Sequence, residues 1–197
     1  MIGCVLMAAG QSTRFGAENK LLAQYGGVPL VFRAMDAVPP ECRTVVVTGY
    51  AEIAAEAARR GFAVVRNDRP QDGASRTVRL GTAALADCEA ILFLVGDQPL
   101  LRRDAVARVL DCYRAHPACI CAGASGGKRG NPCIFPREFF AELCAVTGDR
   151  GGSAVIRQHE DRLLLVELPP EALRDVDTGA ALAALKEEHR ETETDRP

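Results

Sequence analysis

The chain lacks any apolar run that could span a membrane: stretches such as Val5 to Ala9, Ala90 to Val95 and Ala118 to Ala122 fall far short of the ~20 residues a bilayer helix requires. It also lacks an excess of one charge. With 24 Lys and Arg against 26 Asp and Glu, the net charge is −2, so no field exists to hold nucleic acid or an anionic membrane nonspecifically. Met1-Ile2-Gly3 supplies no basic leader segment and Ile2 excludes myristoylation, which makes the cytoplasm the expected compartment. The eight Cys include no C-x-x-C pair and none stands beside a His. Structural zinc is therefore not indicated, and the thiols read as small buried hydrophobes in a reducing compartment. Internal repeats are absent too.

What is present is an ordinary globular composition, 48% hydrophobic and 25% charged over 197 residues, which a prior of about 150 residues per domain reads as one domain. Residues 1–189 are expected to form it, with 190–197 as a polar, frayed tail. Apolar runs at 2–7, 43–48, 62–66 and 90–95 are each followed by Gly, Asp or Pro and then by a helical stretch. The pattern predicts helices over 29–38, 51–60, 75–86, 104–116, 136–145 and 178–189. Near-continuous apolar strands alternating with helices predict an α/β fold: a three-layer α/β/α sandwich, Rossmann-like, with a mainly parallel sheet. Beyond Ala122 the pattern loosens into a Gly-rich loop, 124–130, and short strands near 133–135 and 162–168, expected to complete a mixed sheet with one antiparallel strand.

In an open parallel sheet, ligands bind at the carboxyl ends of the strands. Strand 1 runs into Met7-Ala8-Ala9-Gly10-Gln11-Ser12-Thr13-Arg14-Phe15-Gly16-Ala17-Glu18-Asn19-Lys20. Small residues at 8, 9 and 10 let backbone N–H groups approach an anion, and Arg14 and Lys20 add positive charge. The loop has neither the Gly-Lys-Ser/Thr of a P-loop nor the G-x-G-x-x-G spacing of a dinucleotide fold. Strand 4 ends in Gly96-Asp97-Gln98-Pro99, where Asp97 reads either as a turn cap or as a magnesium ligand beside a bound triphosphate. In Asp175-Val176-Asp177-Thr178, Thr178 suits an N-cap, while Asp177 suits a cap or a metal equally. The three His, at 116, 159 and 189, lie outside these segments and read as surface residues.

Taken together, Leu6-Met7-Ala8-Ala9-Gly10-x-Ser12-x-Arg14-x-Gly16-x-x-Asn19-Lys20-Leu21-Leu22, Gly96-Asp97-Gln98-Pro99 and Asp175-x-Asp177-Thr178 resemble the nucleotidyltransferases that make molybdenum cofactor dinucleotides, the cytidylyltransferases in particular. Asn67 through Gly73-Ala74-Ser75, Gly130-Asn131-Pro132 with Phe135, and Gly148-Asp149-x-Gly151 match as well. The resemblance implies the nucleotide-diphosphate-sugar transferase (GT-A type) fold and magnesium-dependent transfer of CMP from CTP to the phosphate of a molybdopterin, with release of pyrophosphate. It also implies transient contact with a molybdoenzyme or its chaperone. By the same carry-over, Arg14, Lys20 and Asp97 are catalytic. Met7, Ala8, Ala9, Gly10, Lys20, Thr48, Asn67, Ser75 and Asp97 line the nucleotide, and Asp97 and Asp177 hold Mg²⁺. No general base is required, because an attacking phosphate is already ionised. CTP rather than GTP is implied by Ala9, where guanylyltransferase relatives usually carry Gly. The sequence departs from the family pattern at Ser75-Arg76, at Gly151-Gly152-Ser153, where an Arg is common at the third position, and at Gly179. Arg150 or Arg157 is the expected substitute for the absent Arg. Two alternatives stand beside this reading: a guanylyltransferase or other small-phosphate nucleotidyltransferase, and a non-catalytic nucleotide- or molybdopterin-binding chaperone.

Overall fold

The computed structural model describes residues 1–12, 15 and 19–194; Arg14 and Gly16 lie outside the described residues. Three uninterrupted Val/Ile/Leu-rich runs become the central parallel strands β1 (Ile2–Met7), β4 (Arg43–Thr48) and β6 (Ala90–Val95), at the expected boundaries. The short β2 (Gln24–Tyr25) and β3 (Val28–Pro29) form a separate hairpin. β5 (Ala63–Arg66), β7 (Ile120–Ser125), β8 (Lys128–Pro136) and β9 (Leu163–Glu167) complete a seven-stranded sheet in the order β5-β4-β1-β6-β8-β7-β9. Only β8 among the described strands of this sheet runs antiparallel to its neighbours, as the loosening pattern anticipated.

The strands are apolar on both sides because both faces are covered. Cys4, Leu6, Val46, Leu92 and Leu94 pack toward α1 (Leu30–Asp36), α2 (Ala51–Arg59) and α4 (Arg103–Ala115). Val5, Val45, Val47, Ile91 and Phe93 pack toward α3 (Ala74–Ala84), α5 (Phe140–Ala145) and α6 (Ser153–Ile156). Alternate residues of a strand point to opposite faces, so each strand feeds two cores. α7 (Gly179–Thr194) packs Leu182 and Leu185 against Tyr25 and Leu30, over the β2–β3 hairpin. All eight cysteines are free and buried or half-buried. No described helix is long and apolar enough to cross a membrane.

Three expectations require correction. The Gly-rich stretch is not a loose loop: Ala124 and Ser125 pair with Arg129 and Lys128 across a two-residue Gly126-Gly127 turn with φ of 56° and 78°. Such a turn needs left-handed backbone at both positions, which glycine supplies without strain. The helix expected over 136–145 starts with a 3-10 turn, Arg137–Phe139, because Pro136 still belongs to β8. The last helix continues to Thr194, where a frayed tail was expected from 190, since no Gly or Pro interrupts Arg190–Thr194.

Candidate active site

The site forms where β1 and β6 end side by side. Asn19 caps a 3-10 turn, Lys20–Leu22, its side chain accepting the Leu21 N–H at 3.0 Å. The Ser12 hydroxyl accepts the Lys20 N–H at 3.1 Å and donates to Asn19 Oδ1 at 3.4 Å, so these two side chains close the neck of the loop after β1. Leu21 anchors the turn in the core. The Lys20 side chain is thereby delivered to the end of β6, where Gly96 lets the backbones meet: its N–H donates to Met7 O at 3.0 Å, and a Cβ there would lie 3.1 Å from Val31 and 3.2 Å from Leu21.

Lys20 Nζ lies 2.7 Å from Asp97 Oδ2 and 2.8 Å from Asp177 Oδ1, with the Lys20 and Asp97 side chains only 13% and 20% exposed. The two carboxylates, 80 positions apart in sequence, converge on one point because the backbone ties them together. Val176 N–H donates to Asp97 O at 3.0 Å, and buried Gln98 donates from Nε2 to Asp175 Oδ1 at 2.9 Å. Thr178 resolves the capping question, its hydroxyl accepting the Ala181 N–H at 3.1 Å, which leaves Asp177 facing the lysine. Burial pulls the Lys20 ammonium pKa down, but the two carboxylates outweigh it and hold the pKa above its ordinary value. Burial, and then the neighbouring Asp97 charge, pushes the Asp175 carboxyl up.

Two hollows flank this cluster. On the β4–β5 side a hollow of about 190 Å³ is lined by Ala9, Gly49, Tyr50, Asn67 and Asp68, among others. The Thr48 hydroxyl accepts the Tyr50 N–H at 3.1 Å, and the Tyr50 hydroxyl donates to Gly10 O at 2.9 Å. Asn67 donates to Thr77 Oγ1 and accepts from Arg76 Nε and Arg69 N–H. On the β8 side a cleft of about 340 Å³ is lined by Met7, Phe93, Val95, Arg129, Asn131 and Phe135, with Ala74 and the 151–153 segment closing it. Its Cys133 thiol is held neutral, burial pushing its pKa up to about 12. The Gly148-Asp149 segment docks on the start of α3: Ser75 N–H donates to Gly148 O at 3.2 Å and Ala74 N–H to Asp149 Oδ1 at 3.3 Å.

Lys20, Asp97 and Asp177 thus come together as the sequence predicted, with Ala9, Gly10 and Asn67 on one side of them. Four residues sit differently. The Ala8 N–H is committed to Val47 O at 2.9 Å and its methyl is in the core, so Ala8 supports the loop from beneath. Met7 lines the β8-side cleft. The Thr48 hydroxyl turns back to its own chain. Ser75 is buried with its hydroxyl 3.5 Å from Asp72 O, and its neighbour Ala74 lines the β8-side cleft instead. His159 is half-buried, bonded to Glu142 Oε2 at 2.8 Å and edge-on to Phe139, against the surface placement expected. Sequence reasoning gave no role to Tyr50 or Arg129, and quoted Gln98 only as part of its motif; an aromatic directly after the Thr48-Gly49 strand end was the one local signal.

Asp97 and Asp177 suit a divalent cation by the chemistry of their donors: two hard carboxylate oxygens that meet at one cation-sized point, already taken by an ammonium. No three His, Cys, Asp or Glu side chains among the described residues gather as a complete cage. Magnesium needs no such cage, because it fills its remaining positions with water and substrate phosphate oxygens.

The chain is similar in sequence and in fold to known proteins. A molybdenum cofactor guanylyltransferase of a Shewanella species is 26% identical over 140 residues, 68% of this chain and 67% of that protein. The bifunctional protein GlmU of Rhizorhabdus wittichii is 35% identical over 119 residues, 58% of this chain but 26% of its own length, so the chain spans about a quarter of that relative. The crystal structure of Rv0371c from Mycobacterium tuberculosis superposes with a TM-score of 0.75 at 26% identity, covering 94% of this chain and 97% of that one. The same mycobacterial protein is also known in complex with manganese, with a TM-score of 0.72 at 25% identity. The fold is that of the nucleotide-diphosphate-sugar transferases. Residues 4–163 match the MobA-like NTP transferase domain, and with the lysine–aspartate cluster at the ends of its first and central strands, this chain belongs to that family of nucleotidyltransferases.

Proposed function

We propose that this protein transfers CMP from CTP to the phosphate of a molybdopterin-type acceptor. The observation that carries the reading is the linear order of the site across the strand ends. A small hollow on the β4–β5 side, floored by Ala9, suits a base. The Lys20–Asp97–Asp177 cluster beside it suits a triphosphate with its cation, and the apolar cleft on the β8 side suits an acceptor.

An ionised acceptor phosphate oxygen attacks the α-phosphorus of CTP in line. A new P–O–P bond forms, the bond to the β-phosphate oxygen breaks, and its electron pair leaves with pyrophosphate; no proton needs to be removed. Lys20 swings from its two aspartates to the phosphates, where its charge offsets what builds up on the leaving group. Asp97 and Asp177 would hold Mg²⁺, which neutralises phosphate charge when bound. The Ser12–Asn19 clasp fixes the lysine backbone throughout.

Ala9 supports CTP, because its methyl reduces the room under the base. The guanylyltransferase relatives support GTP as a second reading. A screen of the four ribonucleoside triphosphates with magnesium and molybdenum-loaded pterin separates them: pyrophosphate release chiefly from CTP is expected. Release chiefly from GTP overturns the base assignment, and release from none overturns the transferase reading.

A further inference from the structure

The arginine common in this family after the acidic residue at 149 is Ser153 here, and the cleft shows what replaces it. Neither residue expected from sequence serves. Arg150 lines a different hollow, with Glu142, Thr147 and Gln158, and Arg157 is exposed outside the cleft. Of the residues lining the β8-side cleft, Arg129 alone carries charge.

Its position follows from strand register. Phe93 of β6 lies opposite Cys133 of the antiparallel β8, so stepping toward the end of β6 steps back along β8, which brings residues 129–131 level with the segment that leads into Asp97. The backbone at 129 is fixed by pairing with Ala124 and by the Gly126-Gly127 turn. Arg129 is half-buried and forms no ion pair with a described carboxylate. Arg129 also lines a second cavity, together with Glu171, Asp175, Lys128 and Arg174. The cleft wall itself is apolar and aromatic: Phe93 and Phe135 stand edge to face at 5.8 Å, flanked by Met7, Val78 and Ile156.

We propose that Arg129 receives the acceptor's phosphate and selects for it. The acceptor is then a flat, largely uncharged body against the phenylalanine wall, with one phosphate directed to the guanidinium and so toward the triphosphate site. A guanidinium fork matches a phosphate's geometry, and a charge-assisted pair discriminates strongly against an uncharged analogue. The inference rests on the acceptor reading given above.

The test uses a pterin monophosphate and the corresponding dephosphorylated alcohol, titrated by pterin fluorescence into the whole protein. Wild type is expected to bind the phosphate form at least about tenfold more tightly, the lower range for a charge-assisted hydrogen bond. Arg129→Gln should erase that preference and leave the alcohol's affinity unchanged, Arg129→Lys should restore part of it, and Arg150→Gln should change nothing. An unaltered thermal shift on adding CTP and magnesium checks that the variants are folded. A preference that survives in Arg129→Gln, or that wild type never shows, overturns the role of Arg129 and leaves the transferase reading standing. Failure of wild type to bind either pterin overturns the pterin reading and the cleft assignment together.

Discussion

Lys20→Met is the most informative single change in this protein, because it should move two measurable quantities in opposite directions. In the free protein the ammonium sits 2.7 and 2.8 Å from the two carboxylates that would take a divalent ion. An ion entering that point must displace the lysine, or tolerate it about 4 Å away. At that distance a unit charge repels a divalent one by about 2 kcal/mol even at the dielectric of water, which is about thirtyfold in affinity. Lys20 and Asp97 are largely shielded while Asp177 is about half exposed, so the effective dielectric lies below that of water and this is a lower bound. Methionine keeps the length and removes the charge. Titrating Mn²⁺ without nucleotide, read by the loss of the free-ion electron paramagnetic resonance signal, should therefore show binding at least about thirtyfold tighter in the variant. Turnover should fall by about 10²–10³, the usual loss when one charge-stabilising donor is removed. Unfolding would abolish both properties. Unchanged or weaker Mn²⁺ binding in a folded variant would refute the reasoning, since the lysine would then not hold the ion's place.

Two further predictions address base choice and pH. Ala9→Gly, which enlarges the hollow shared with Tyr50 and Asn67, should shift the CTP-to-GTP ratio of kcat/KM toward GTP by about 1–3 kcal/mol, the scale of one methyl in a pocket; an unchanged ratio in competition assays would place selection elsewhere. Asp175 has its pKa raised in the folded state by burial and by Asp97, so the folded protein binds the more protons. Its contribution to stability must fall as pH rises from the ordinary carboxylate range through the raised value. Asp175→Asn removes that fall: urea midpoints should favour the variant more at pH 7 than at pH 4, and a constant difference would contradict the assignment.

Much of this was legible before the structure. β1, β4 and β6 were found to the residue because strands buried on both faces read as continuous Val, Ile and Leu, and because Gly, Pro and Asp mark their ends. The rule that ligands gather at strand termini then selected Lys20 and Asp97. The β7–β8 hairpin was missed because glycines that a tight turn requires look like a loop in composition, and the β2–β3 pair because two-residue strands have no periodicity. The duties of Gln98 and Arg129 could not be read locally. One depends on a backbone bond to a segment 79 residues away, the other on a register set by an antiparallel neighbour.

The tie between Val176 and Asp97 also has a consequence for the order in which the protein becomes competent. The sheet strands from β1 to β9 are complete by Glu167, yet the second carboxylate and the clasp from Gln98 arrive only with Asp175 and Asp177, past the matched family segment at 4–163. A nascent polypeptide halted between those points has every strand of the scaffold but only one of the two carboxylates proposed to hold the cation, so under the proposed function its chemistry would await synthesis of the stretch leading into the final helix.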